Sequence, residues 1–308
     1  MQEGKQIRWG IIGAGNVCEH KGGPPLYRLK GSSLVLVHRR DKELGRSFVE
    51  RHGHGSYVGS IEELVTSEAI DAVYVASPHT LHKEHTLRAL EAGKHVMVEK
   101  PMAVATEECD IMIEEAHRRG CSLGVAYYRR GYPAVRKLAE LLAGGVIGGI
   151  RTVAINNEFP TSHRLDLLHF LFGGISAARI LPGNNDPYSF EATLDRIELQ
   201  LTNGGIARMM PAWAESGMPE ALHLTGESGQ LHLLDLKKGA LDLTRNRTTE
   251  RIECGGLPYT HWGLFENFNR HLMEGEPLFC PGEEGRKSTR ILDSLKSVGR
   301  SREWYPIQ

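Results

Sequence analysis

The sequence predicts two domains, an α/β domain built on a parallel sheet followed by an α+β domain with a mainly antiparallel sheet. Three observations carry this. Over residues 1–125 short apolar runs alternate with helix-like stretches, as parallel strands joined by crossover helices require. Beyond Tyr128 the alternation gives way to strand-like runs joined by tight turns, which pair consecutive strands antiparallel. The length of 308 residues allows two units that each bury a core. The boundary is expected at 125/126, giving domains 1–125 and 126–308.

In order, the first strand is Ile7–Ile12, an apolar run ending in glycine. A helix starting at Asn16 cannot run through Gly22-Gly23-Pro24-Pro25, so a kink and a second segment from about Pro25 to Lys30 are expected. Strands follow at Leu34–Val37, Ile70–Ala76, Val96–Val98 and Ser122–Ala126. Between them, Asp41 opens a helix that stops at Gly53, and Ser60 with Glu63 forms a capping box. Thr80 opens a helix ending at Gly93, and Thr106 one ending at Gly120, with acidic residues in its first turn and Arg118-Arg119 in its last. In the second domain Pro133–Ala143 reads as an amphipathic helix. Ile150–Phe159, Leu194–Thr202, Ile206–Ala214, Ala221–Thr225 and Gln230–Leu236 read as strands, with hairpin turns at Asn203-Gly204-Gly205 and Gly226–Gly229. Helices return at His261–Met273 and Glu283–Gly299.

Composition removes several function classes. With 37 Lys+Arg against 38 Asp+Glu, no net field draws the chain to nucleic acid or an anionic membrane. The five cysteines are widely spaced and form no Cys-x-x-Cys pair, which fits a reduced, cytoplasmic chain. The N-terminal residues lack a signal-peptide core and no apolar run reaches membrane-spanning length.

Gly13-Ala14-Gly15 follows a strand and precedes a helix start, the context in which such glycines let the backbone approach a dinucleotide pyrophosphate. The third glycine of the usual fingerprint is replaced by Cys18, and a glycine-rich turn of another α/β protein is the alternative. At the end of the second strand, where NAD-specific folds place an acidic residue about 20 residues on, this chain has His38-Arg39-Arg40. Asp41 follows as a helix cap. Two arginines suit a 2′-phosphate, so NADP(H) is preferred, with NAD(H) possible; solvated surface charges are the alternative. Farther on, Glu99-Lys100-Pro101 closes a strand on the same sheet edge, which puts an ionisable amine beside the reactive end of a bound dinucleotide. A Glu99–Lys100 pair that only holds the strand end is the bland reading.

Gly10–Asn16, then Ser77-Pro78-His79-Thr80-Leu81-His82, then Ala92-Gly93-Lys94-His95-Val96 leading to Glu99-Lys100-Pro101, resemble the Gfo/Idh/MocA family (glucose–fructose oxidoreductase and inositol dehydrogenase). The likeness is strongest over residues 7–150. It implies a Rossmann domain, an antiparallel second domain and an oxidoreductase, NADP(H)-dependent if Arg39-Arg40 are read as above, that interconverts a secondary alcohol and a ketone on a sugar, polyol or related small molecule. The implied cofactor contacts are Gly13, Gly15, Asn16, Val17, Arg39, Arg40, Ser77, Pro78, His79, His82, Glu99 and Lys100. The implied catalytic residues are Lys100, as electrophile or proton relay, and His163, whose residue type suits proton transfer near neutral pH. Relatives associate through the second sheet, so a homodimer or homotetramer is expected.

The chain departs from the family at one place. Where relatives carry an aspartate four residues before the histidine, this chain has Phe159, and the connection around 159–163 is shortened. Glu158 is expected to point to the opposite strand face, and Asp166 to orient His163 from one turn along a helix. A catalytically weak nucleotide-binding regulatory protein of the same fold is therefore the alternative function. Tyr128 and Arg129 are candidate substrate contacts or, alternatively, hinge residues with exposed arginines. His79, His82 and His85 are three apart, but no Cys or acidic group accompanies them, and no metal is expected; His85 is expected at the surface. His261, Trp262 and Phe265 read as core.

Overall fold

The structure, a computed structural model, describes residues 6–156, 162–181, 196–210, 221–237, 239–296, 298 and 302–307. Phe159 and Glu158, on which the sequence departs from its relatives, lie outside the described residues.

The chain divides into two compact units. In the first, β1 (Ile7–Ile12), β2 (Ser32–His38), β3 (Ser56–Tyr57), β4 (Ala72–Val75), β5 (His95–Val98) and β6 (Leu123–Val125) form one sheet in the order β3-β2-β1-β4-β5-β6. Every pairing in it is parallel. The order runs outward from β1 in both directions, so a crevice opens between the carboxyl ends of β1 and β4, where parallel α/β sheets bind ligands. All four residues of β4 are buried, as a central strand covered on both faces demands.

Most of the crossover helices begin or end where the sequence predicts. α1 (Asn16–His20) is five residues long, and α2 (Pro25–Arg28) follows the Gly22–Pro24 break. In α3 (Lys42–His52) the Asp41 carboxylate accepts the Leu44 N–H at 3.0 Å, and Gly53 closes the helix at φ 67°. In α4 (Ile61–Thr66) Ser60 Oγ accepts the Glu63 N–H at 3.0 Å, while the Glu63 carboxylate takes the Gly59 N–H one residue earlier than a capping box predicts. α5 starts later than expected: His79–Leu81 form a 3-10 turn and the α-helix is His82–Glu91. α6 (Thr106–Arg119) ends on Gly120 at φ 63°.

In the second unit, α7 (Pro133–Ala143) precedes β7 (Ile150–Asn156), and α8 (Ser162–Phe172) is almost wholly buried. β8 (Ile175–Leu181), β9 (Arg196–Leu201), β10 (Ile206–Met210), β11 (Ala221–Gly226), β12 (Gln230–Leu233), β13 (Ala240–Arg245), β14 (Thr248–Glu253) and β15 (Tyr305–Pro306) complete its sheet. Among the described residues the order is β14-β13-β12-β11-β7-β10-β9-β8-β15. All pairs are antiparallel except β10 with β7.

The unit boundary corrects the expected 126–308 domain. Division falls after Gly131, and Pro258–Thr289 returns to the first unit. That return carries α9 (Trp262–Glu274) and most of α10 (Gly282–Lys296). The cause is aromatic packing: Phe265 and Phe268 of α9 lie 5.2 and 5.4 Å from the Trp9 ring on β1, and Phe265 lies 5.0 Å from Tyr74 on β4. The Trp9 indole N–H also donates to Asn269 Oδ1 at 3.1 Å in the same buried layer. The amphipathic pattern predicted the helix, and the sheet it covers belongs to the earlier unit.

Candidate dinucleotide site

The turn after β1 is shaped by two glycines with different jobs. Gly13 sits at φ 86°, and its N–H donates to His38 O at 2.9 Å, tying the turn to the end of β2. A Cβ at Gly13 would lie 2.6 Å from the Ser77 backbone nitrogen, so only glycine lets the turn approach the end of β4. Gly15 is extended at φ −99°, and a Cβ there would meet nothing nearer than Gly13 O at 3.8 Å. That open space beside the turn fits a pyrophosphate. Asn16 is exposed and Val17 half-buried at the start of α1. Cys18, where the fingerprint has its third glycine, is fully buried, and burial pushes its thiol up. The close packing falls instead on Gly22 and Gly23, where a Cβ would clash with Tyr74 and with the Cys18 carbonyl.

At the end of β2, the Arg39 guanidinium reaches back over the turn and donates to Ala14 O at 2.8 Å. Arg40 is exposed and forms no ion pair among the described residues. Asp41 is committed to its helix cap. This end therefore offers a ribose cationic groups and no spare carboxylate.

The loop after β4 is held by histidines. His82 Nε2 lies 2.9 Å from Ser77 O and its Nδ1 2.8 Å from Pro101 O, so one buried ring ties the ends of β4 and β5 together. Burial is the largest influence on His82 and pulls its pKa down, with the two carbonyl acceptors opposing. His85 is also buried, against the surface position expected for it, and its Nδ1 lies 2.9 Å from Ser77 Oγ. The reason is that α5 begins at His82, which turns the fourth helical residue inward toward this loop. His79 and Pro78 are exposed. Among the described residues no three His, Cys, Asp or Glu side chains group as metal ligands.

The end of β5 carries a buried network that sequence reasoning missed. Glu99 Oε1 accepts from the Tyr74 hydroxyl at 2.6 Å and from His261 Nε2 at 2.8 Å, while Oε2 accepts the Lys100 backbone N–H at 3.1 Å. Burial alone would raise the Glu99 pKa; the charge and hydrogen bond of His261, with the Tyr74 hydroxyl, outweigh it and hold Glu99 below its ordinary value. Tyr74 moves the other way, driven up first by burial and then by Glu99. Lys100 is half-buried, and its Nζ makes no hydrogen bond or ion pair among the described residues. The Glu99 carboxylate is committed to Tyr74, His261 and a backbone amide rather than to the Lys100 amine. His261 is separated from Glu99 by 162 residues, so no local spacing announces the pair.

Tyr128 and Arg129 lie in a 3-10 turn, Tyr128–Gly131. The hinge alternative, with exposed arginines, does not hold, since both arginines are buried: Arg130 donates to Phe279 O at 3.1 Å and pairs with Glu284, and the Arg129 guanidinium lies 5.7 Å from the Tyr128 ring centre. The Tyr128 ring packs against His261, with ring centres 4.7 Å apart. In the second unit, His163 and Asp166 are buried one turn apart on α8.

Residues 7–127 match the GFO_IDH_MocA family, described as an oxidoreductase family with an NAD-binding Rossmann fold. Over that stretch the chain is similar to the Gfo/Idh/MocA oxidoreductase family. The chain is 41% identical over 150 residues to "Oxidoreductase P35" of Formosa agariphila, covering 49% of this chain and 47% of that protein. It is 37% identical over 141 residues to a 1,5-anhydro-D-fructose reductase of Ensifer adhaerens, covering 46% and 42%. These matches span about half the length of the curated relatives. An oxidoreductase of Agrobacterium radiobacter, solved with NAD+, L-tartaric acid and magnesium, superposes with a TM-score of 0.84 over 98% of this chain and 99% of its own, at 14% identity. The likeness of fold therefore extends beyond the residues of the family match. Among the described residues no helix is long and apolar enough to cross a membrane.

Proposed function

We propose that this protein is an NADP(H)-dependent oxidoreductase that interconverts a secondary alcohol and a ketone on a sugar, polyol or related small molecule. One observation carries the reading. The glycine turn at the sheet's switch point leaves open space at Gly15, and Lys100 presents an amine unpaired among the described residues from the end of β5, which pairs with β4. The likeness to a 1,5-anhydro-D-fructose reductase supports a sugar ketone as the substrate class. Arg40 and the commitment of Asp41 to its cap support NADP(H) over NAD(H).

When bound, the nicotinamide supplies or accepts the hydride. Gly13 and Gly15 form the cradle for its pyrophosphate, with Asn16 and Val17 at the following helix start. Arg39 braces the cradle through Ala14, and Arg40 grips the 2′-phosphate. Ser77, Pro78 and His79 border the cofactor, with Ser77 held by His82 and His85. Lys100 donates a hydrogen bond to the substrate oxygen and stabilises the charge that develops there. His163, the residue the family resemblance assigns, gives or takes the substrate proton, oriented by Asp166. Tyr128 and Arg129 contact the substrate. The five widely spaced cysteines, with no Cys-x-x-Cys pair, support action in a reducing compartment, the cytoplasm, and self-association as a dimer or tetramer is checked by light scattering.

The experiment is oxidation of NADPH followed by absorbance with a panel of sugar ketones. Turnover that falls about 100-fold or more in Lys100→Ala and in His163→Ala, with NADPH affinity retained, is the expected result. A neutral outcome at either residue removes it from the chemistry. Tight NADPH binding with no turnover across the panel overturns the enzyme and leaves a nucleotide-sensing protein.

A further inference from the structure

We propose that His261 is a positioning residue for Lys100: its imidazole fixes the Glu99 carboxylate, which in turn fixes the backbone from which the lysine amine projects. The inference rests on the function proposed above and assigns part of that site to a segment far from its sequence motifs. Lys100 has no side-chain partner among the described residues, so its direction depends on what holds its main chain. That hold is Glu99 Oε2 on the Lys100 N–H at 3.1 Å. Glu99 in turn has its other oxygen pinned by Tyr74 and by His261. Tyr74 comes from the neighbouring strand β4, whereas His261 stands just ahead of α9 and is delivered only by the returning C-terminal segment. The ring is fully buried and packed on Tyr128, so it is held in one place.

The ionised state of Glu99 matters as well as its position. The groups facing it are Tyr74 from β4, His261 from the start of α9, Lys100 beside it, Cys18 from α1 and His82 from α5. Burial works against the carboxylate, and His261 heads the influences that keep it ionised. Without His261, Glu99 takes up a proton at higher pH and releases its grip on the amide as it does so.

The test compares wild type with His261→Leu, which removes the donor, and His261→Gln, which keeps one. Two readouts are used. Hydrogen exchange at the Lys100 amide, read by mass spectrometry of the peptide holding residues 99–101, reports the grip of Glu99 whether or not the protein turns anything over. The pH profile of kcat with NADPH and an active sugar ketone reports the ionisation. In His261→Leu the amide is expected to exchange about tenfold faster or more, and kcat to fall about 100-fold with little change in KM. Its acid limb is expected to move up by about one pH unit. His261→Gln is expected to recover most of both. Exchange and acid limb that stay at wild-type values in a folded leucine variant overturn the proposal. So does a glutamine variant as impaired as the leucine one, since ring packing alone would then explain the loss. If the leucine variant does not fold, His261→Asn, too short to reach Glu99, is judged by the same two criteria. If wild type shows no turnover, the exchange readout decides for His261 while the missing turnover counts against the enzyme reading.

Discussion

Alanine at Gly13 and alanine at Gly15, two residues apart, are expected to fail in different ways. At Gly13 the backbone sits at φ 86°, which an L-residue enters at about 1–2 kcal/mol. The added methyl also lies 2.6 Å from the Ser77 backbone nitrogen, so the β1 and β4 ends must part. Overpacking of this kind costs about 1–3 kcal/mol. The sum is about 2–5 kcal/mol, which lowers the melting temperature of a unit this size by roughly 5–15 °C. At Gly15 the backbone is already extended, and the methyl enters open space 3.8 Å from its nearest neighbour, Gly13 O. Stability then changes by less than about 0.5 kcal/mol. On the proposed function that space holds the pyrophosphate, so NADPH affinity is expected to fall about 100-fold, near 2.7 kcal/mol. Thermal melts without cofactor and fluorescence titration with NADPH separate the two. A Gly13→Ala protein that melts within about 1 °C of wild type refutes the close approach of the turn to Ser77. A Gly15→Ala protein that binds NADPH normally refutes the cradle.

Two further outcomes follow from the electrostatics. Arg40→Glu is expected to weaken NADPH by about 1.5–3 kcal/mol, the worth of a charge-assisted contact, while leaving NADH unchanged or tighter; competition titration of the two cofactors measures the ratio, and equal losses for both would return Arg40 to the solvent. The protein is also expected to be acid-labile. His82 and His85 have pKa values lowered first by burial, so they bind fewer protons folded than unfolded, and stability falls once pH drops below about 6.5. Glu99 and Glu198, whose partners outweigh burial and lower them, add to the loss below about 4.5. Melting temperatures from pH 8 to pH 4 should be level above 7 and decline below 6; a rise on acidification would refute the lowered pKa values of these groups.

Most of the first unit was legible because its signals are local. Asp41 and Gly53 bracket α3, the Gly-Gly-Pro-Pro break splits α1 from α2, and the β-branched run of β4 is buried as read. The second sheet was read less completely. The β13–β14 hairpin turns on Asn246 and Arg247 at φ 50° and 63°, so a left-handed turn is made without the glycine that usually marks one. The parallel β7–β10 pair could not be read from hairpin turns either, since its strands are separated in sequence by α8, β8 and β9. At the candidate site, the glycines and Lys100 stood out through spacing, while the partners of Glu99 did not. Tyr74 read as one apolar residue in a buried strand, and His261 as one more core histidine. Only the fold brings a hydroxyl, a carboxylate and an imidazole to the same point.

The return of the C-terminal segment explains why the dinucleotide unit is not a self-sufficient N-terminal module. A chain ending at Gly131 keeps all six parallel strands of this unit but loses α9. The ring edges of Trp9 and Tyr74 would then face water, and the Trp9 indole would lose its buried acceptor on Asn269. Glu99 would lose His261 in the same cut, at the strand end that carries Lys100. One returning segment, His261 with α9, thus covers the aromatic flank of the sheet and supplies the group that holds the lysine's neighbour, so the packing that stabilises this unit and the proposed positioning of Lys100 depend on the same stretch of chain.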